Sequence, residues 1–213
     1  STETLSTQTF QAGSLLPALD AVALDHISYT QSSGYLLGTL FDETPFLIIM
    51  NHQGEILWGV QQYDDEHGGM DSKLSVDGQS ILFNRFSKDK DIDGGHIERI
   101  TIDGVSVESI RTPMAHHPFT ELPDGTLTYI ALDPKDTEEF GSVCGDAVVE
   151  ISPDGTHRTI FSTWNNIPLY ESITFNSTFY PQGHDWTHGN WIKYNEERDS
   201  YLFSMVGVNV ILE

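Results

Sequence analysis

Only one cysteine, Cys144, stands among the 213 residues, so no intrachain disulfide can close. That leaves the compartment open, because a chain of this length has enough core to fold without one. Basic side chains are also scarce. There are 10 Lys and Arg against 32 Asp and Glu, a formal charge of −22. A surface of that sign repels phosphates and argues against a nucleic-acid partner. The acids are scattered along the chain, as on a solvating surface; attraction of cations is the alternative reading. No apolar run approaches the ~20 residues of a membrane-spanning helix. Ser1 to Gly13 is polar and lacks a charged-then-apolar signal pattern, so the expectation is a mature chain without its targeting segment. Gly-rich phosphate loops, a nucleophile elbow and a basic aromatic patch are all missing. Asn176-Ser177-Thr178 matches a glycosylation sequon, a triplet common by chance.

What is present is hairpin punctuation. Hydrophobic residues make up 38% and aromatics 11%, a globular composition. Gln53-Gly54, Asp77-Gly78, Asp103-Gly104, Asp124-Gly125 and Asp154-Gly155 each separate short β-branched and aromatic runs, as hairpin turns do. Gly54, Gly104 and Gly155 lie 50 and 51 residues apart; Gly78 and Gly125 lie 47 apart. A unit of about 50 residues holding two hairpins is a four-stranded blade. The expected fold is therefore an all-β β-propeller of four-stranded blades, about four of them in this chain, with a sandwich ranked second. The spacing predicts strands at 35–41, 46–51 and 55–61 in blade one. Blade two takes 72–76, 80–86, 96–102 and 105–110. Blade three takes 119–122, 126–131, 147–151 and 157–162. Blade four takes 186–194, 201–206 and 208–212. Residues 1–213 read as one propeller domain or segment. Residues 1–30 form an N-terminal arm with a short helix at Leu15–Leu24 and a candidate closing strand at Leu24–Tyr29. An open propeller exposes an edge and half a core. The expectation is a larger protein or a second chain that completes the ring; closure by the N-terminal strand is the less favoured option.

Several segments resemble one known family. His116-His117-Pro118-Phe119 leading to Leu122-Pro123-Asp124-Gly125 is similar to its "HHDfe.LPdG" segment. Gly145-Asp146-Ala147-Val148-Val149-Glu150-Ile151 with Pro153-Asp154-Gly155 is similar to "GDrivEidpdG". Asp185-Trp186-Thr187-His188-Gly189-Asn190, followed by Tyr201-Leu202-Phe203-Ser204, resembles "DWtHaNs" and its next strand. Gly34-Tyr35-Leu36-Leu37 and Pro45–Trp58 resemble the opening blade. These are motifs of the arylsulfotransferases, six-bladed propellers exported by bacteria. The resemblance implies a transferase that moves a sulfuryl group between phenolic compounds through a covalent histidine, without a required cofactor. It implies an extracellular or periplasmic location and a small phenolic ligand. It carries catalytic roles to His188, Asn190 and His116 or His117, and substrate contacts to His184, Asp185 and Trp186. Three departures accompany it. Val206 takes the place of an arginine in an "SxR" pattern, Pro118 replaces the aspartate of "HHD", and the nucleophilic histidine belongs to a later blade beyond Glu213. A guanidinium is a rigid anion fork that valine cannot imitate. A catalytically silent propeller, serving as a ligand-binding or assembly module, is the alternative.

The residues themselves carry further readings. His116, His117, His184 and His188 each precede or begin an inner strand, so they can meet at a channel as a proton-transfer or anion-binding group. Hydrogen bonding of backbone between blades is the plainer alternative, and metal ligation by His184 and His188 is a third. Asp89, Asp91 and Asp93 with Gly94 match the opening of a DxDxDG calcium loop, in which alternating carboxylates converge on one hard cation. The glutamate expected later in such a loop is absent, with Ile100 in its place. A plain acidic hairpin tip is the alternative, and Asp64-Asp65-Glu66-His67 is a similar acidic loop with less pattern, read as a solvated segment. Trp58, Trp164, Trp186 and Trp191 are expected between blades, and Cys144 as an inert thiol.

Overall fold

The computed structural model describes residues 34–40, 46–61, 67–68, 71–87, 94–177 and 179–213. The Leu15–Leu24 helix, the Leu24–Tyr29 strand, the Asp89, Asp91 and Asp93 loop and the Asp64–Glu66 run lie outside them.

The described chain is all-β apart from one helical turn, α1 (Thr163–Asn166). Blade one is the sheet β1 (Tyr35–Leu40), β2 (Phe46–Asn51), β3 (Ile56–Gln61). Blade two joins β4 (His67–Gly68) and β5 (Ser72–Leu74) to β6 (Ser80–Ser87), then β7 (His96–Thr101) and β8 (Val107–Arg111). Blade three orders β9 (Ala115–Glu121), β10 (Leu127–Thr137), β11 (Gly141–Ile151) and β12 (His157–Ser162). Blade four is β14 (Gly189–Asn195), β15 (Ser200–Met205) and β16 (Val210–Leu212). A short β13 (His184–Asp185) pairs parallel with β11; the other strand pairs are antiparallel. The blades are propeller-like, and the described sheets do not close into a ring.

The turns repeat one chemical device. Gly54, Gly78, Gly104, Gly125 and Gly155 all have φ between 69° and 86°. The residues before them, Gln53 and four aspartates, are not left-handed. Around Gly54, Gly125 and Gly155 the turn has three residues and ends on the left-handed glycine; around Gly78 and Gly104, where Ser75 bonds Ser80 and Thr101 bonds Ser106, it has four. Each aspartate instead accepts a backbone N–H two residues on: Asp77 from Gln79, Asp103 from Val105, Asp124 from Thr126 and Asp154 from Thr156. Asp77 and Asp103 also accept the hydroxyls of Ser75 and Thr101. These bonds hold all four carboxyls below the usual range, led by the hydroxyl in Asp77 and Asp103 and by the backbone N–H in Asp124 and Asp154. Part of the acidic excess is therefore turn structure.

Period-two alternation turns each middle blade into a slab with two apolar faces. On β6, Ile81 and Phe83 pack with Leu47 of blade one, while Leu82 between them packs with Phe119 and Leu127 of blade three. On β10 and β11, Tyr129, Ala131, Ala147 and Val149 join the blade-two side. Ile130 and Val148 join Trp186, Ile192 and Phe203 on the blade-four side. Each fully buried aliphatic or aromatic side chain contributes roughly 1.5–3 kcal/mol.

The structure departs from the expected strands at the β10–β11 hairpin. The reading ended one strand at Ala131 and began the next at Ala147, yet pairing continues to Thr137 opposite Gly141. Leu132–Thr137 holds two aspartates and Pro134, which score poorly as strand. Tertiary contacts override that local preference. Trp164 Nε1 donates to the Asp133 carbonyl at 2.7 Å, Ser162 Oγ donates to the Asp133 carboxylate at 2.8 Å, and the Lys135 ammonium lies over the Trp164 ring. The other side of the hairpin is secured by buried Val143 and Cys144.

Candidate functional site

β9 of blade three runs beside β14 of blade four, and both begin irregularly. The β9–β10 register shifts between Tyr129 and Ile130, which leaves His117 and Pro118 without direct partners. The β14–β15 register shifts between Gly189 and Trp191, at Asn190. Bulges of this kind re-aim side chains. His117 and His188 both sit in the left-handed region, at φ 59° and 46°. A non-glycine residue there costs on the order of 1–3 kcal/mol, so the surroundings must hold it. They do so through the carbonyls. Asn84 Nδ2 donates to the His117 carbonyl at 2.6 Å, and the Val206 N–H donates to the His188 carbonyl at 3.1 Å.

The two bulges bring His116, His117 and His188 together. The His117 ring centroid is 5.0 Å from those of both His116 and His188. Nδ1 of His116 lies 2.8 Å from Nδ1 of His117 and 3.1 Å from the Tyr180 hydroxyl. His116 Nε2 approaches Asp146 Oδ1 to 2.8 Å, at an angle short of a linear hydrogen bond. On the other side, His188 Nδ1 and Asp185 Oδ2 are 2.5 Å apart. Phe179 and Tyr180 flank the His188 ring at 5.6 and 5.9 Å. Asn190 accepts the Ser204 hydroxyl on Oδ1 at 2.6 Å, which turns its amide nitrogen the other way.

The three histidines are not equivalent. Burial, then the neighbouring His116 and His188 rings, pushes His117 down to about 3, so it is neutral at physiological pH. The Asp185 carboxylate bonded to His188 moves that ring the other way, above the ordinary histidine value, against the effect of burial. An imidazole held neutral therefore stands beside one biased toward the imidazolium. Burial opposes ionisation of Asp146, yet the bonds from His116, Thr187 and Gly189 keep it below the usual carboxylate range. Tyr180 is pushed up by burial and by the Asp146 and Asp185 charges, so it stays protonated.

Among the expected site residues, His116, His117, His188 and Asn190 come to this junction. Asp185 is buried and bonds His188. Trp186 is wholly buried and packs against Trp164 at 4.9 Å. His184 is exposed and stacks on Phe175, separate from the other histidines. Among the described residues, no group of three or more His, Cys, Asp or Glu side chains is arranged to hold a metal. Cys144 is buried; burial and then the Asp185 and Asp146 charges push its thiol up to about 12, away from nucleophilic chemistry. Sequence reasoning missed Asp146 and Tyr180. Asp146 did leave a signal, as the one carboxylate inside the apolar run Val143–Val149. Tyr180 left none, because it reaches His116 from a segment with no periodic pattern.

A family model described as arylsulfotransferase (ASST) matches residues 22–213. The chain belongs to the arylsulfotransferase family. Comparison with curated proteins gives no match. The arylsulfotransferase motifs quoted above supply both bulges, "HHPF" at β9 and "DWTHGN" at β14. Val206 of this arylsulfotransferase relative stands in the turn after β15, partly exposed, and touches the site through its backbone bond to His188. No helix among the described residues is long and apolar enough to cross a membrane.

Proposed function

We propose that this arylsulfotransferase-family chain binds an aryl sulfate at the β9–β14 junction and takes part in sulfuryl transfer between phenolic compounds. The observation that carries the reading is the pairing of unlike imidazoles 5.0 Å apart, His188 biased toward its cation and His117 held neutral. A sulfuryl group in transfer carries negative charge on its oxygens, which His188 Nε2–H and the Asn190 amide are suited to receive. A neutral His117 can accept the hydrogen bond of an incoming phenol hydroxyl. Asp185 has the role of keeping His188 charged and oriented. The same family membership supports an extracellular or periplasmic setting.

One observation favours a second reading, a binding module without transfer activity. Val206 supplies no guanidinium where the family motif has one, and the cationic component described at the junction is the His188 ring. A sulfate-transfer assay between two phenols, on the complete protein, separates the two. Transfer that is lost in His188→Ala supports the enzyme. Absence of transfer, with ligand binding unchanged in His188→Ala, removes the enzyme reading.

A further inference from the structure

We propose that Asp146 is a positioning residue that sets the tautomer of His117 through His116, so that His117 presents a bare Nε2 to the ligand. The inference rests on the junction described above being the ligand site, but its geometry stands apart from any transfer activity.

Asp146 is 1% exposed and its carboxylate cannot turn. Oδ2 accepts the Thr187 hydroxyl at 2.5 Å and the Gly189 N–H at 2.6 Å, and the Asp146 N–H is itself taken by Thr163 Oγ1 at 2.9 Å. Oδ1 is thereby left facing His116 Nε2 at 2.8 Å. An ionised carboxylate only accepts, so the proton of that contact is on His116 Nε2. His116 is 6% exposed, and its Nδ1 lies within reach of two partners, His117 Nδ1 and the Tyr180 hydroxyl. In the proposed arrangement His116 carries a single N–H, at Nε2, and its Nδ1 is bare. Two bare nitrogens repel at 2.8 Å, hence the proton there belongs to His117 Nδ1. His117 then has its only N–H engaged and its Nε2 free of a proton. The Tyr180 hydroxyl, 3.1 Å from the same His116 nitrogen, is a second donor toward it and reinforces the assignment. On the far side of His117, His188 Nδ1 is bonded to Asp185 and leaves His117 Nδ1 untouched.

The consequence is a division of labour. His188 offers an N–H and His117 a lone pair, so one end of the site suits sulfate oxygens and the other a phenol hydroxyl. An amide at position 146 can present N–H to His116 Nε2 instead. That makes His116 Nε2 the acceptor, moves its proton to Nδ1 and reverses His117 in turn.

Long-range ¹H–¹⁵N correlation on the full chain with labelled histidine reads each nitrogen directly. The expected wild-type result is His117 protonated at Nδ1 and bare at Nε2, with His116 the reverse. Asp146→Asn is expected to exchange the protonated and bare nitrogens on both rings. A protonated His117 Nε2 in the wild type overturns the proposal. So does a folded Asp146→Asn protein whose His117 tautomer is unchanged. Should Asp146→Asn fail to fold, Tyr180→Phe serves: it keeps the Asp146 relay and is expected to leave both tautomers as they are, and a reversal there overturns the proposal. None of these readings requires sulfate transfer, so an inactive protein refutes the function and not the relay.

Discussion

Acid should destabilise this protein through His117. Its ring is held neutral, with its protonation moved down to about 3 from an ordinary value of 6.5. In the unfolded chain the ring takes up a proton as pH falls below the ordinary value. In the folded chain it cannot do so until near the lowered one. The unfolded state therefore binds more protons across that window, and stability is lost as pH falls through it. At pH 7 the effect is nearly absent. By pH 5 it amounts to about 2 kcal/mol, with a ceiling of about 5 kcal/mol once pH falls below both values. The comparison protein is His117→Asn. Asparagine tolerates the left-handed backbone of this position and does not titrate in the range. Urea denaturation of both proteins at pH 7 and pH 5 gives four free energies, and the difference of differences isolates the His117 contribution from the other titrating groups. The wild type is expected to lose about 2 kcal/mol more than the variant between the two conditions. An equal loss in both proteins, or a larger loss in the variant, refutes the buried neutral imidazole.

Two further outcomes follow from the same junction. In Asp185→Asn the main support for the His188 imidazolium disappears, so its protonation falls back toward the ordinary histidine range. In the wild type, the stabilisation from this raised group is complete below the ordinary value and fades as pH rises through the folded one. Sulfate titration by calorimetry near neutral pH should therefore show binding weakened by up to about tenfold in the variant, with the difference shrinking in acid. Gly189→Ala places a methyl 2.6 Å from the buried Phe203 ring and 3.1 Å from the Asp146 carboxyl carbon. Thermal and urea denaturation should show a cost of about 1–3 kcal/mol from overpacking, with resonances of His188 and Asn190 displaced.

Blade structure was legible because its signals are local. An Asp-Gly turn announces itself in two residues, and the carboxylate bond that closes it reaches two residues on. The alternation of Ile81, Leu82 and Phe83 onto opposite cores follows from the pleat alone. The far half of the β10–β11 hairpin was not legible, since Leu132–Thr137 holds residues that disfavour strands and is held by Trp164 and Ser162 from a later segment. At the site, the motifs marked His116, His117, His188 and Asn190. They did not distinguish Asp185 as a histidine partner from Asp185 as a ligand contact, and Trp186 in the same motif is a core residue.

Taken alone, the chain's order of residues determined an all-β chain, the places of its turns and its arylsulfotransferase kinship, because each is written in neighbouring residues or in motifs. Only the tertiary structure decided the state of the histidines. His117 and His188 have the same side chain and the same left-handed backbone. One is neutral because it is buried between two other rings, and the other is drawn toward its cation by the Asp185 carboxylate at 2.5 Å. Burial and the sign of the nearest charge depend on which strands meet, and that meeting of β9, β11 and β14 joins residues 30 or more positions apart.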